Sequence, residues 1–372
     1  MRTGPRGAGC LAVAVLMSGC SLLAPGLRSA RPVDPAPFTA LAATAGASVG
    51  RVLSTSCAGA PMAGSGFVVD SSHVLTASHV VGGARQVSLR LTGAKPVLAD
   101  VVGIDAATDT ALVRTSTVLG RGLALAAADA TTSGTPVAVL GYPLGDAELL
   151  SSLTMITSVS EAAVVNDHSA TGLVVVDATL PVGMSGGPVV DAAGRVRGMA
   201  VASIGGRGGR DSTSPVALAL PTGVLAAAVA RWQDVPRSDP PACEGETAAL
   251  STAGTELVLG NGVDAELAHT VWLFGTSLGA GQFASAWGML TPDRQRVEGD
   301  LAQWTRRNSR AWTRVDVREA TRQGDRATAS VRVDTAGPDG ACAAGEIDVT
   351  FRLSRGIWLI DGVDPGAVSA CG

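Results

Sequence analysis

From about residue 45 to 232 the chain is written in short apolar runs broken by Gly, Asp and Ser. Gly66-Phe67-Val68-Val69, residues 97–103, Ala111-Leu112-Val113, Val137-Ala138-Val139-Leu140 and residues 173–176 are each of strand length, and Pro188-Val189-Val190 and residues 198–203 follow them. Apolar runs of this length with turn residues between them predict an all-β barrel or sandwich. Residues 224–232 switch to helical composition and are expected to close this domain as a terminal helix. A break follows over 233–262, where Pro236, Pro240 and Pro241 precede Gly254, Gly260 and Gly262, and it reads as a linker.

A different texture begins at 263. Residues 263–278 and 280–290 predict helices, Pro292-Asp293 ends the second, and 301–304 reads as a short third helix. Alternating apolar and polar positions over 311–319, 326–334 and 346–353, then 356–361, predict an antiparallel sheet. Helices first and strands afterwards is an α+β order. A length of 372 residues suits two such domains. The expected organisation is a leader over 1–19, a tether over 20–44, an all-β domain over 45–232, the linker 233–262, an α+β domain over 263–365 and a tail over 366–372.

The N-terminus changes the picture of where the protein works. Arg2 and Arg6 precede a short apolar run over 10–17, too short to span a bilayer and laid out like a secretory signal. The run ends in Met17-Ser18-Gly19-Cys20, which resembles a bacterial lipobox. That resemblance implies that Cys20 becomes a lipidated mature N-terminus on the outer face of the cell membrane. Residues 21–42 contain Pro25, Pro32, Pro35 and Pro37 among small residues and suit a flexible tether. With Cys10 in the leader and Cys20 lipidated, Cys57, Cys243, Cys342 and Cys371 remain. Four cysteines in an exported chain imply two disulfides. Each is expected within one folding unit, as Cys57–Cys243 and Cys342–Cys371. Close Cys pairs of the C-x-x-C kind are missing, so no metal site is expected. A net charge of −4 argues against a nucleic-acid partner.

Three segments carry candidate chemistry. Thr76-Ala77-Ser78-His79 ends an apolar run and places an imidazole at a turn. Asp105-Ala106-Ala107-Thr108-Asp109 leads into Thr110-Ala111-Leu112-Val113. Gly183-Met184-Ser185-Gly186-Gly187-Pro188 sets a serine among glycines with strands on both sides. Taken singly, a histidine is more often structural, an Asp before a strand is a solvated turn residue, and Gly-Gly-Pro is a turn. In the order His, Asp, Ser they resemble the trypsin-like serine peptidases, specifically the compact HtrA-like branch, across roughly residues 48–232.

The resemblance implies a chymotrypsin-like double β-barrel, peptide-bond hydrolysis without a cofactor, and a protein or peptide substrate. It assigns the catalytic triad to His79, Asp109 and Ser185 and the oxyanion donors to the amides of Gly183 and Ser185. Thr179, six residues before the serine, would line the base of the specificity pocket, with Ala200 and Ala202 on its wall. An uncharged base argues against cleavage after Arg or Lys. Two departures from the commonest motifs are visible: Ser78 stands where Ala is usual, and Met184 where Asn or Asp is usual.

In the second domain, Phe283-Ala284-Ser285-Ala286-Trp287 and the ending Gly356-Ile357-Trp358-Leu359-Ile360-Asp361 resemble NTF2-like (cystatin-like cone) domains. A Gly-Leu-Gly-Phe-type carboxylate loop, the mark of the PDZ domains that usually follow HtrA-like peptidases, is missing. Two other readings compete with the peptidase: a catalytically silent barrel that binds peptides, and a sensor or scaffold whose C-terminal domain binds a ligand. The oligomeric state is left open.

Overall fold

The computed structural model describes residues 1, 33–56, 61–165, 168–204, 216–236, 255–337 and 339–371. Cys10, Cys20, Cys57 and Cys243 lie outside them, so the lipidation and the first expected disulfide fall outside the described residues.

The apolar runs of the first half become two closed barrels. The first is built from β1 (Val49–Ser56), β2 (Met62–Val68), β3 (His73–Thr76), β4 (Ala84–Leu91), β5 (Val97–Asp105) and β6 (Thr110–Thr115), in the order β1-β2-β3-β6-β5-β4. The second uses β7 (Pro136–Gly141), β8 (Leu150–Val165), β9 (His168–Val176), β10 (Pro188–Asp191), β11 (Val196–Ile204) and β12 (Val216–Pro221), in the order β10-β11-β12-β9-β8-β7. Closure removes the free edges that an open sheet would leave. β1, β4 and β8 were not legible as apolar runs. Polar residues interrupt all three, and their partners on both sides hold them in the barrels.

The helices α1 (Ala36–Gly46), α2 (Ser78–Val81) and α3 (Thr222–Trp232) accompany the barrels. The expected tether therefore ends in a helix. Prolines sit at the start of α1, where a missing N–H costs nothing. Its Phe38, Leu41 and Ala45 enter the core shared by the two barrels. The closing helix α3 is where the sequence placed it. Its Trp232 ring lies against Gly103 of β5, and a Cβ there would fall 2.0 Å from the ring. Only glycine permits that approach, and it ties the end of the second barrel to the first.

The second domain contains β13 (Glu256–Leu259), α4 (Ala265–Gly279), α5 (Phe283–Gly288), α6 (Pro292–Glu298), α7 (Leu301–Arg307), β14 (Ala311–Gln323), β15 (Arg326–Ala336), β16 (Cys342–Ser354) and β17 (Ile357–Ala370). The five strands form one sheet in chain order, with β13 parallel to β14 and the other pairs antiparallel. Three expectations are corrected. The linker 233–262 contains β13, a short run between glycines that finds its partner only in β14. Pro292 starts α6 instead of ending a helix, because the Thr291 hydroxyl accepts from Arg294 N at 3.1 Å and Pro is at home in a first turn. The tail 366–372 belongs largely to β17, and Cys371 is disulfide-bonded to Cys342 with 5.5 Å between their Cα atoms.

Helix α4 is buried on nearly every side because it lies between its own sheet and the outside of the first barrel. Leu53 and Ala63 of that barrel share one apolar cluster with Leu267, Val271 and Phe274 of α4 and Val315 and Val331 of the sheet. Three polar residues of α4 find partners on the barrel. Glu266 meets Arg51 at 2.5 Å, His269 Nε2 lies 2.8 Å from the Ser88 hydroxyl, and Ser277 donates to Gln86 at 2.6 Å.

Candidate active site

His79 sits in α2, a single turn launched directly from β3. Asp109 closes the turn between β5 and β6 with φ of 50°, a left-handed conformation that Asp tolerates better than most residues. From there its carboxylate gathers three donors. Oδ2 lies 2.9 Å from His79 Nδ1, while Oδ1 accepts from the His79 amide at 3.0 Å and the Ser78 hydroxyl at 2.8 Å. The Ser78 amide in turn donates to the Asp109 carbonyl at 3.2 Å. Burial pushes the Asp109 carboxyl up. The hydrogen bond and charge of His79, its amide and the Ser78 hydroxyl outweigh that and hold the group below the ordinary carboxylate range. A carboxylate fixed on Nδ1 leaves Nε2 as the nitrogen that can take a proton from elsewhere.

Ser185 stands in a turn that glycines make possible. Gly183 and Gly186 have φ of 100° and 88°. A Cβ on Gly186 would come within 2.1 Å of the Ser65 carbonyl and 3.0 Å of Ala77 N, and one on Gly183 within 2.6 Å of Leu144 N and the Tyr142 carbonyl. The turn is fastened to both barrels. Ser65 N of β2 donates to the Ser185 carbonyl at 2.8 Å, and Gly186 N donates to Ala200 O of β11 at 2.7 Å. Its approach to Ala77, two residues before His79, brings the serine turn against the base of α2. The Ser185 hydroxyl lies 3.4 Å from the Val201 carbonyl, a weak contact. The Ser185 turn and the base of α2, which carries His79, thus meet between the two barrels.

The expected pocket residues separate. Ala200 is buried in an apolar cluster with Leu180, Met184 and Ala219. Ala202 is half-buried, and Thr179 is exposed. Two polar residues of the site were missed from the sequence. Ser78 holds Asp109. Ser65, fully buried, accepts from Tyr142 N and donates to the Gly183 carbonyl, each at 2.8 Å. The Ser78 departure from the usual motif was the available signal, whereas Ser65 offered none beyond its place in Gly64-Ser65-Gly66.

Residues 64–199 match the family model of the trypsin-like peptidase domain. The chain is also similar to an uncharacterised protein, y4bJ, of Sinorhizobium fredii. The two are 30% identical over 146 residues, which are 39% of this chain and only 22% of that protein. Among solved structures, the active form of the Rv3671c protease from M. tuberculosis is 26% identical and covers 57% of this chain and 90% of its own, with a TM-score of 0.48. The inactive form of the same protease gives 26% identity, coverage of 54% and 96%, and a TM-score of 0.45.

Proposed function

We propose that the chain is a serine endopeptidase of the HtrA-like branch that cleaves protein or peptide substrates outside the cytoplasm, tethered to the cell membrane through a lipid on Cys20. The observation that carries the reading is Asp109 holding the His79 imidazole by Nδ1 beside the glycine turn of Ser185. In this mechanism the Ser185 hydroxyl attacks the scissile carbonyl and His79 Nε2 takes its proton. Asp109 keeps the imidazole in the productive tautomer and stabilises the imidazolium. The amides of Gly183 and Ser185 receive the oxyanion, each such donor contributing on the order of 10²–10³ in rate. His79 then protonates the leaving amine, and water repeats the sequence on the acyl-enzyme.

A small uncharged pocket walled by Ala200 and Ala202 would take Ala, Val or Leu, and the apolar neighbours of Ala200 support an uncharged wall. The C-terminal helices and five-stranded sheet suit an NTF2-like domain. Cleavage of a diverse peptide library by wild type and Ser185→Ala tests the activity. Wild-type cleavage after small aliphatic residues that Ser185→Ala lacks is expected, and cleavage after Arg or Lys would overturn the pocket assignment. Fatty-acid labelling lost in Cys20→Ala tests the anchor, and labelling that persists in that variant contradicts it.

A further inference from the structure

The short segment Tyr142–Gly145, which leaves β7, touches the serine turn on one side and the C-terminal domain on the other. On the serine side, Leu144 N donates to the Val182 carbonyl at 2.8 Å, and Tyr142 N shares the Ser65 hydroxyl with the Gly183 carbonyl. The peptide that would present the Gly183 oxyanion donor is therefore fixed by this segment.

On the other side, the carbonyls flanking Leu144 are both held by guanidinium groups. Arg51, fully buried, donates to the Pro143 carbonyl at 3.0 Å and is itself held by Glu266 of α4. Arg322 of β14 donates to the Gly145 carbonyl. Asp264 at the start of α4 grips it through Nε at 2.5 Å and a second nitrogen at 2.7 Å, and the guanidinium lies over the Trp358 ring. Trp358 Nε1 adds a long contact to the same carbonyl. Gly356, in the β16–β17 turn, approaches Leu144 so closely that a Cβ would fall 2.5 Å from its side chain. With the carbonyls of Pro143 and Gly145 taken, the Leu144 amide between them is left aimed at Val182. Contacts that only joined two domains would not need to converge on the few residues that back the oxyanion turn.

We infer that the C-terminal domain clamps Tyr142–Gly145 and thereby sets the Gly183 oxyanion donor, with Arg51 and Arg322 as positioning residues. The inference rests on the reading of Ser185 as nucleophile.

The test uses the full chain with Arg322→Ala, with the paired Arg51→Met/Glu266→Gln change that removes both members of that buried pair together, and with Arg318→Ala as a control on the same sheet, where only an exposed pair with Glu346 is lost. Active sites are titrated, and amide hydrogen exchange is followed at 142–145 and 182–185. Both test variants should exchange faster in those two segments alone and lose about tenfold in kcat with KM within about twofold, as loss of a transition-state interaction requires. The control should match wild type. Exchange unchanged in both segments of folded Arg322→Ala, or raised evenly through the molecule with kcat per titrated site intact, overturns the clamp. If wild type cleaves nothing, the proposed function fails while the exchange result still decides the clamp.

Discussion

At Asp109 one carboxylate holds the imidazole, the amide of His79 and the Ser78 hydroxyl. Removing that hydroxyl leaves the carboxylate one donor short, and a hydrogen bond to a charged group is worth about 1.5 kcal/mol. Ser78→Ala is therefore expected to lower kcat/KM by about tenfold with the fold intact, and unchanged kinetics would show that the bond does not support catalysis. Met184 is fully buried among Val137, Val139 and Leu180. Its cluster among the described residues is apolar, so Met184→Asp should destabilise the protein by about 3 kcal/mol or more in chemical denaturation. Stability close to wild type would contradict the apolar surroundings assigned to Met184. The candidate triad was named through the family resemblance of its three segments, each of which abuts an apolar run that places it at a strand end. Ser65 and Arg51 were not, because their partners Gly183 and Pro143 lie far along the chain and only barrel closure brings them near.

Among the elements, most of those that bury one clean apolar stretch were readable, although the run of β12 was not named. β3, β6, β7, β10 and α3 stand where the sequence put them, within a residue or two. β8 was hidden because its faces mix Ser and Thr with apolar residues and its stability comes from β7 and β9. β13 was hidden because Glu256–Leu259 is too short to declare itself before β14 pairs with it. The reach of β17 was underestimated because its last residues are polar or small. The bond between Cys342 and Cys371 fastens the end of β17 to the start of β16 across a separation of 29 residues. The chain-entropy argument assigns such a loop about 3.5 kcal/mol. Cys342→Ser should lose stability of that order while peptide cleavage at room temperature persists. Non-reducing peptide mapping that pairs Cys342 with any other cysteine would contradict the assignment.

Across the whole molecule, the junction between the first barrel and α4 carries buried charge. Burial pushes the Glu266 carboxyl up to about 7 against the pull of Arg51, Arg90 and Arg322. A folded pKa above the ordinary value of 4.5 means that the stabilising contribution is complete below that value and is lost as pH rises through about 7. His269 on the same helix is held well below 6.5, chiefly by burial, so its contribution is present above 6.5 and lost as pH falls. Glu266→Gln keeps His269 and removes only the first effect. Its Tm relative to wild type should rise between pH 5 and pH 8, and a difference constant across that range would contradict the shift. The central claim remains that Ser185, activated by His79 and Asp109, is a nucleophile. Its most direct test is labelling of the folded protein with a fluorophosphonate, followed by mass mapping of the modified residue. The account predicts modification on Ser185, absent in Ser185→Ala and severely slowed in His79→Ala. A folded wild type that takes no label, or takes it on another residue, would contradict it.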